Sequence, residues 1–172
     1  MKRSRIIALG GVLAALSVAI LYFGGLLSGF VIAAAAVAGL IPAAAVLRGG
    51  LRTGCAVYVV TAALALLLLP EKSAALWYAV FFGYYGLLKS LIEQIGRLLA
   101  EWPLKLLTYT AAFFVLLLLF RSAFTALTDL VPLGTLPVFF IGMAVFVLYD
   151  IGFSRLIGLY LRRIGRNLGK GE

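Results

Sequence analysis

The chain opens with MKRSRIIALGGVLAALSVAILYF, Met1–Phe23, in which a short basic segment precedes a long uncharged and mostly apolar run, Ile6–Phe23. A run of this length approaches the roughly 20 residues that a helix needs to cross the hydrocarbon core of a bilayer. A secretory signal peptide has a similar basic start but a shorter apolar region. Because further apolar runs follow, we expect an uncleaved first transmembrane helix.

Five more apolar runs follow the first one along the chain. The composition is 65% hydrophobic and 12% charged, with a mean hydropathy of +1.16, whereas a soluble domain carries about 25% charged residues. The sequence therefore predicts an all-α, polytopic membrane protein that forms one integral membrane domain over residues 1–172. The six predicted spans are Ile6–Phe23, Gly29–Leu47, Leu51–Leu69, Ala74–Ile92, Leu104–Phe120 and Leu136–Leu156.

The basic residues predict the orientation of these spans. With the amino terminus inside, only Lys72 and Arg121 among the 15 Lys and Arg fall on the outer side. The positive-inside rule therefore favours a multi-pass protein of the cell membrane with both termini cytoplasmic. The net charge of +9 is explained by this sidedness and by anionic lipid, so no nucleic-acid partner is expected.

The scarcity of chemically reactive side chains argues against an enzyme. The chain has no histidine and a single cysteine, Cys55, which excludes Ser/His triads and histidine metal sites. Its two aspartates, Asp129 and Asp150, do not form the intramembrane pair of an aspartyl protease, and its six acidic residues do not cluster. No catalytic residue, metal ligand or cofactor is predicted.

The first helix carries small residues at four-residue spacing, Gly11, Ala15 and Ala19. Such a stripe lets another helix approach closely in lipid, where packing drives helix association. Two interpretations stay open: the stripe packs within this chain, or it docks a partner protein. The pair Ala34 and Ala38 repeats the pattern in the second helix.

Ionisable residues inside a bilayer are costly and therefore informative. Lys89 and Asp150 lie in the cytoplasmic halves of the fourth and sixth spans, and an ion pair between them is one hypothesis, with Arg155 competing for Asp150. Snorkelling to the interface with mutual pairing is the structural interpretation, and a proton or cation pathway is the functional one.

The fourth span contains the densest aromatic run of the chain, with small residues between the rings. Aromatic rings with hydroxyl groups can line a site for an organic ligand, although they also form interface belts and tight helix contacts. We hypothesise a ligand site near the outer face, and its candidate residues are Tyr22, Glu71, Trp77, Tyr78, Phe81 and Arg121.

Glycine and proline predict several local features. The segment around Gly24 and Gly29 indicates a tight external hairpin, and the Ala-rich second helix is expected to be central, with a bend near Pro42. Alternating charges predict a continuing helix between Lys89 and Lys105, and Pro103 is expected to break or redirect it.

Three runs carry a resemblance to a known group of proteins: FFGYYGLLKSLIE (Phe81–Glu93), EWPLKLL (Glu101–Leu107) and LYDIGFSRLIGLYLRR (Leu148–Arg163). With the six-helix length and the stripe on helix one, the chain resembles the substrate-binding S components of energy-coupling factor transporters. More narrowly, it resembles a family of small S-component-like proteins from Clostridia and related Firmicutes. Gly86 stands where that narrower family is expected to have proline.

The resemblance implies an S-component-like bundle that binds a small solute, such as a vitamin, near the outer face. It also implies docking on a transmembrane T component with cytoplasmic ATPases, through an Ala-x-x-x-Ala motif that Ala15 and Ala19 match. A scaffold protein of the cell-wall elongation machinery has the same six-helix architecture. A non-transporting scaffold or assembly factor is therefore the alternative prediction.

Overall fold

The computed structural model describes residues 3–27, 29–92, 98–119 and 135–168, and these residues form helices and short connections. The helices are α1 (Arg3–Leu26), α2 (Val31–Gly49), α3 (Leu51–Leu68), α4 (Lys72–Trp77), a π-helical segment (Tyr78–Phe82), α5 (Gly83–Ile92), α6 (Leu98–Leu119) and α7 (Thr135–Leu168). The chain divides into two compact units, Met1–Leu116 and Leu117–Glu172.

Six helical stretches of the described residues are long and apolar enough to cross a membrane, as the sequence predicts. They are Ser4–Leu26, Val31–Gly49, Leu51–Leu68, Lys72–Ile92, Glu101–Leu119 and Leu136–Gly158. The described part of the chain is thus helical, with the character of a multi-pass membrane protein.

Helix α2 is the centre of the first unit, as its alanine content predicts. It packs against α1, α3, α4, α5 and the π-helical segment. Ala14, Ile41, Ala45 and Val57 form one buried cluster where α1, α2 and α3 meet. The small residues let the three backbones approach each other closely, which is how helices associate where lipid replaces water.

The α1–α2 connection is a tight turn, as predicted from its glycines. Gly29 has a φ of 92°, a conformation that glycine adopts without steric cost. The Phe30 amide donates to the Leu27 carbonyl at 3.1 Å. At Gly24, a β-carbon would collide with the side chain of Ala34, so glycine is what allows α1 and α2 to meet near the turn.

Two helices continue through an internal proline. Helix α6 runs from Leu98 to Leu119 with Pro103 inside it, so the prediction that Pro103 breaks the helix before Lys105 is wrong, and a change of helix direction at Pro103 stays a prediction. Proline in a transmembrane helix is tolerated because neighbouring groups satisfy the carbonyl that it leaves free. Helix α2 likewise continues through Pro42, and the bend expected near Pro42 stays a prediction. Of the predicted charge stripe, Glu93 and Arg97 lie outside the described residues.

The second unit contributes one long helix, α7, which continues twelve residues beyond the predicted end of the sixth span at Leu156. Within it, the Tyr149 and Phe153 rings meet edge to face with centroids 5.7 Å apart. The Ser154 hydroxyl donates to the Asp150 carbonyl at 3.0 Å. The basic carboxyl-terminal segment thus starts on an extension of this helix.

Candidate functional site

The fourth span changes its winding at the aromatic residues singled out in the sequence. From Tyr78 to Phe82 it is a π-helix, and the Gly83 amide donates to the Tyr78 carbonyl five residues back. The Tyr58 hydroxyl on α3 donates to the Ala79 carbonyl at 2.8 Å. A side chain from the neighbouring helix therefore satisfies a backbone group of the irregular turn. Such π-helical turns occur frequently at functional sites.

Two glycines make room for the π-helical segment. A β-carbon at Gly39 would lie 2.5 Å from the Phe82 carbonyl oxygen. A β-carbon at Gly83 would lie 2.7 Å from the ring of Tyr58. Both distances are well inside van der Waals contact, so the segment rests directly on the α2 backbone on one side and on the Tyr58 ring on the other.

Among the described residues, three hydroxyl groups are fully buried without a hydrogen-bond partner. They belong to Ser17 on α1, Thr61 on α3 and Tyr78 at the start of the π-helix, and each residue has 0% of its surface exposed. The Tyr78 hydroxyl faces Thr61, but the two oxygens are not in hydrogen-bonding geometry. A buried hydroxyl without a partner costs about 1–3 kcal/mol.

The register of α1 and α3 places Ser17 near the level of Thr61. The two helices run parallel, and a β-carbon at Gly10 would lie 3.7 Å from Val57 and 3.9 Å from Thr53. Ser17 follows Gly10 by about two helical turns, and Thr61 follows Thr53 by a similar rise. We name Ser17, Thr61 and Tyr78 the hydroxyl cluster. Each hydroxyl both donates and accepts, so the cluster suits a small neutral polar group.

The predicted ligand residues take different positions in the structure. Tyr78 and Phe81 are buried, and Phe81 stacks on Tyr85 with centroids 6.0 Å apart. Trp77 is partly buried at the end of α4, whereas Tyr22 is exposed and contacts the Phe23 ring. Arg121 lies outside the described residues. Of the predicted ligand residues, Tyr78 and Phe81 are thus the two that are buried in the π-helical segment.

Glu71 caps the start of α4. Its carboxylate accepts hydrogen bonds from the Ser73 hydroxyl at 2.6 Å and from the Ser73 amide at 3.2 Å, and so caps the helix. These two hydrogen bonds lower the pKa of the Glu71 carboxyl from its ordinary value, because they stabilise the charged form. Glu71 also lies against the end of α1, where a β-carbon at Gly25 would be 3.4 Å from its own.

The small-residue stripe of α1 is on the outside of the bundle at its first two positions. Gly11 and Ala15 are exposed, and a β-carbon at Gly11 would have no neighbour within 4 Å. Ala19 is partly buried and lines a groove between α1 and α2. By contrast, Ala34 and Ala38 of α2 are buried in the bundle. The same sequence pattern therefore packs internally in α2 and leaves a free surface in α1.

The intramembrane charges differ in exposure. Lys89 of the first unit has 0% of its surface exposed, and Asp150 of the second unit has 3%. Arg155 is exposed on α7. Buried charges need compensating groups, and the pairing of Lys89 with Asp150 stays a prediction.

Three residues of this region were not identified from the sequence. Tyr58 donates the hydrogen bond to the π-helical segment, and Ser17 and Thr61 belong to the hydroxyl cluster. Ser17 and Thr61 are isolated hydroxyl residues within long apolar runs. That isolation is a usable signal, but only the packing shows that they meet no partner.

Comparisons with models of protein families, with curated proteins and with solved structures found no match for this chain.

Proposed function

We propose that the chain is the solute-binding membrane subunit, or S component, of an energy-coupling factor type transporter. The proposal rests first on the exposed stripe of α1. Gly11 and Ala15 provide a surface of small side chains that no part of the described chain covers at Gly11. A helix of a membrane partner could pack against such a surface at short distance. In this proposal the partner is a transmembrane T component with its cytoplasmic ATPases.

The hydroxyl cluster supports a solute-binding role over a purely structural one. A scaffold subunit needs a docking surface but gains nothing from three buried hydroxyls without partners. A solute that offers hydrogen bonds to Tyr78 and Thr61 would recover their desolvation cost. We propose a small organic solute such as a vitamin, which enters from the outer side near Tyr22, Trp77 and Phe81.

The docking part of the proposal is tested by purification of the tagged protein from its own membranes in mild detergent, followed by mass spectrometry. We expect a membrane partner and a pair of ATPases to be retained. Ala15→Leu should reduce their recovery at least ten-fold, since a bulky side chain holds the helices apart. Ala63→Leu, which changes an exposed alanine of α3, is the matched control and should retain them.

Two outcomes would contradict this proposal. Equal recovery of the partner with Ala15→Leu and with the unmodified protein would remove α1 as the docking surface. Recovery of cell-wall or division proteins without any ATPase would favour the scaffold function, because that class of subunit binds proteins and transports no solute.

A further inference from the structure

A groove of about 580 Å³ runs along the first unit between α1 and α3. Small residues of both helices line it, with Gly10, Gly11 and Ala14 on α1 and Ala56 on α3. A β-carbon at Gly10 would lie 3.7 Å from Val57, which is van der Waals contact, so α1 and α3 pack together at Gly10. The lining of the groove between Arg52 and Val60 spans about 12 Å along α3, at 1.5 Å per residue.

One end of this groove is cationic. Arg52, in the first turn of α3, lines the groove and is exposed. Arg5, in the first turn of α1, is also exposed at this end. The hydroxyl of Thr53, another lining residue, already donates to the Gly49 carbonyl at 2.8 Å. Arg52 is therefore the lining side chain that can meet an anion.

The start of α3 adds to this positive end. The first turn of α3 contains no acidic residue, and Gly50 provides no side-chain cap. The Thr53 and Gly54 amides donate to the Gly50 carbonyl. The start of a helix nevertheless carries a partial positive charge and favours anions such as phosphate. The groove thus joins an apolar channel inside the span to two cationic features at its end.

We propose that this groove binds one anionic phospholipid, with an acyl chain between α1 and α3 and the phosphate beside Arg52 and the start of α3. An apolar chain fits the Gly and Ala lining, and a phosphate matches the charge of the guanidinium group. This inference does not depend on the proposed transport function.

The experiment compares lipid retention by variants of the full chain. The protein is purified in detergent, incubated with an equimolar mixture of phosphatidylglycerol and phosphatidylcholine, and examined by native mass spectrometry. We expect the unmodified protein to retain one phosphatidylglycerol in preference to phosphatidylcholine. Arg52→Gln should reduce that preference about five-fold, the effect of one basic residue at an anionic membrane surface.

Two pairs of matched variants distinguish binding in the groove from effects of a substitution elsewhere on the surface. Ala56→Phe fills the channel and should reduce retention of both lipids, whereas Ala63→Phe changes an exposed alanine outside the groove lining and should not. Arg48→Gln removes an exposed arginine that does not line the groove and should preserve the preference. Three results would overturn the proposal. The unmodified protein could retain the two lipids equally, it could retain no lipid at all, or Arg48→Gln could reduce the preference as much as Arg52→Gln does.

Discussion

Tyr58, which contacts the π-helical segment, and Tyr78, which begins it, differ in their hydrogen bonding. Tyr58 donates to the Ala79 carbonyl at 2.8 Å, whereas the Tyr78 hydroxyl is buried without a partner. Tyr58→Phe should lower the free energy of unfolding by about 1 kcal/mol, because a hydrogen bond is lost and a backbone carbonyl loses a donor. Tyr78→Phe should leave stability equal or raise it by about 1 kcal/mol, because an unsatisfied hydroxyl is removed.

Thermal unfolding in a single detergent measures both variants, and each serves as the control for the other. A loss of stability with Tyr78→Phe in the solute-free protein would show that its hydroxyl has a partner in solution. If Tyr78 contacts the solute, the same variant should weaken solute binding while it leaves the protein folded. Stability and binding then change in opposite directions, which a purely structural role would not produce.

At the scale of elements, the packing of α2 against the π-helical segment depends on Gly39. A β-carbon added at Gly39 would lie 2.5 Å from the Phe82 carbonyl oxygen. This oxygen belongs to the backbone, which cannot move as easily as a side chain. Gly39→Ala should therefore lower the free energy of unfolding by about 1–3 kcal/mol, as overpacking does in protein cores. Gly11→Ala, where nothing lies within 4 Å, is the control and should unfold at the original temperature or above it. Equal unfolding temperatures for the two variants would mean that α2 and the fourth span do not touch at Gly39.

The elements also show which features of the fold can be predicted from sequence. Length and hydropathy predict the six spans, because both describe the helix as a whole, and alanine content predicts the central position of α2. The π-helical turn could not be predicted, because it depends on Tyr58 of another helix and on the space at Gly39 and Gly83. The predicted break at Pro103 is wrong because that rule describes helices in water, whereas transmembrane helices tolerate an internal proline.

Some features of the candidate site could likewise be predicted from the sequence, and others could not. The aromatic run of the fourth span could be predicted as a region of interest, because its density is a sequence property. The capping role of Glu71, the burial of Tyr78 and the missing partners of Ser17 and Thr61 depend on distances between helices. The stripe on α1 was visible in the sequence, but only the exposure of Gly11 and Ala15 separates it from the buried stripe of α2.

At the scale of the whole molecule, the distribution of charge predicts how the chain crosses the membrane. Arg48 and Lys72 are exposed residues at opposite ends of α3, and the positive-inside rule places Arg48 in the cytoplasm and Lys72 outside. In a Cys55→Ser background, Lys72→Cys should react with a membrane-impermeant maleimide in intact cells. Arg48→Cys should react only after permeabilisation, and the cysteine-free protein should stay unlabelled. Reaction of both cysteines in intact cells would show that α3 does not span the bilayer, and the reverse pattern would place the termini and the cationic end of the α1–α3 groove outside the cell.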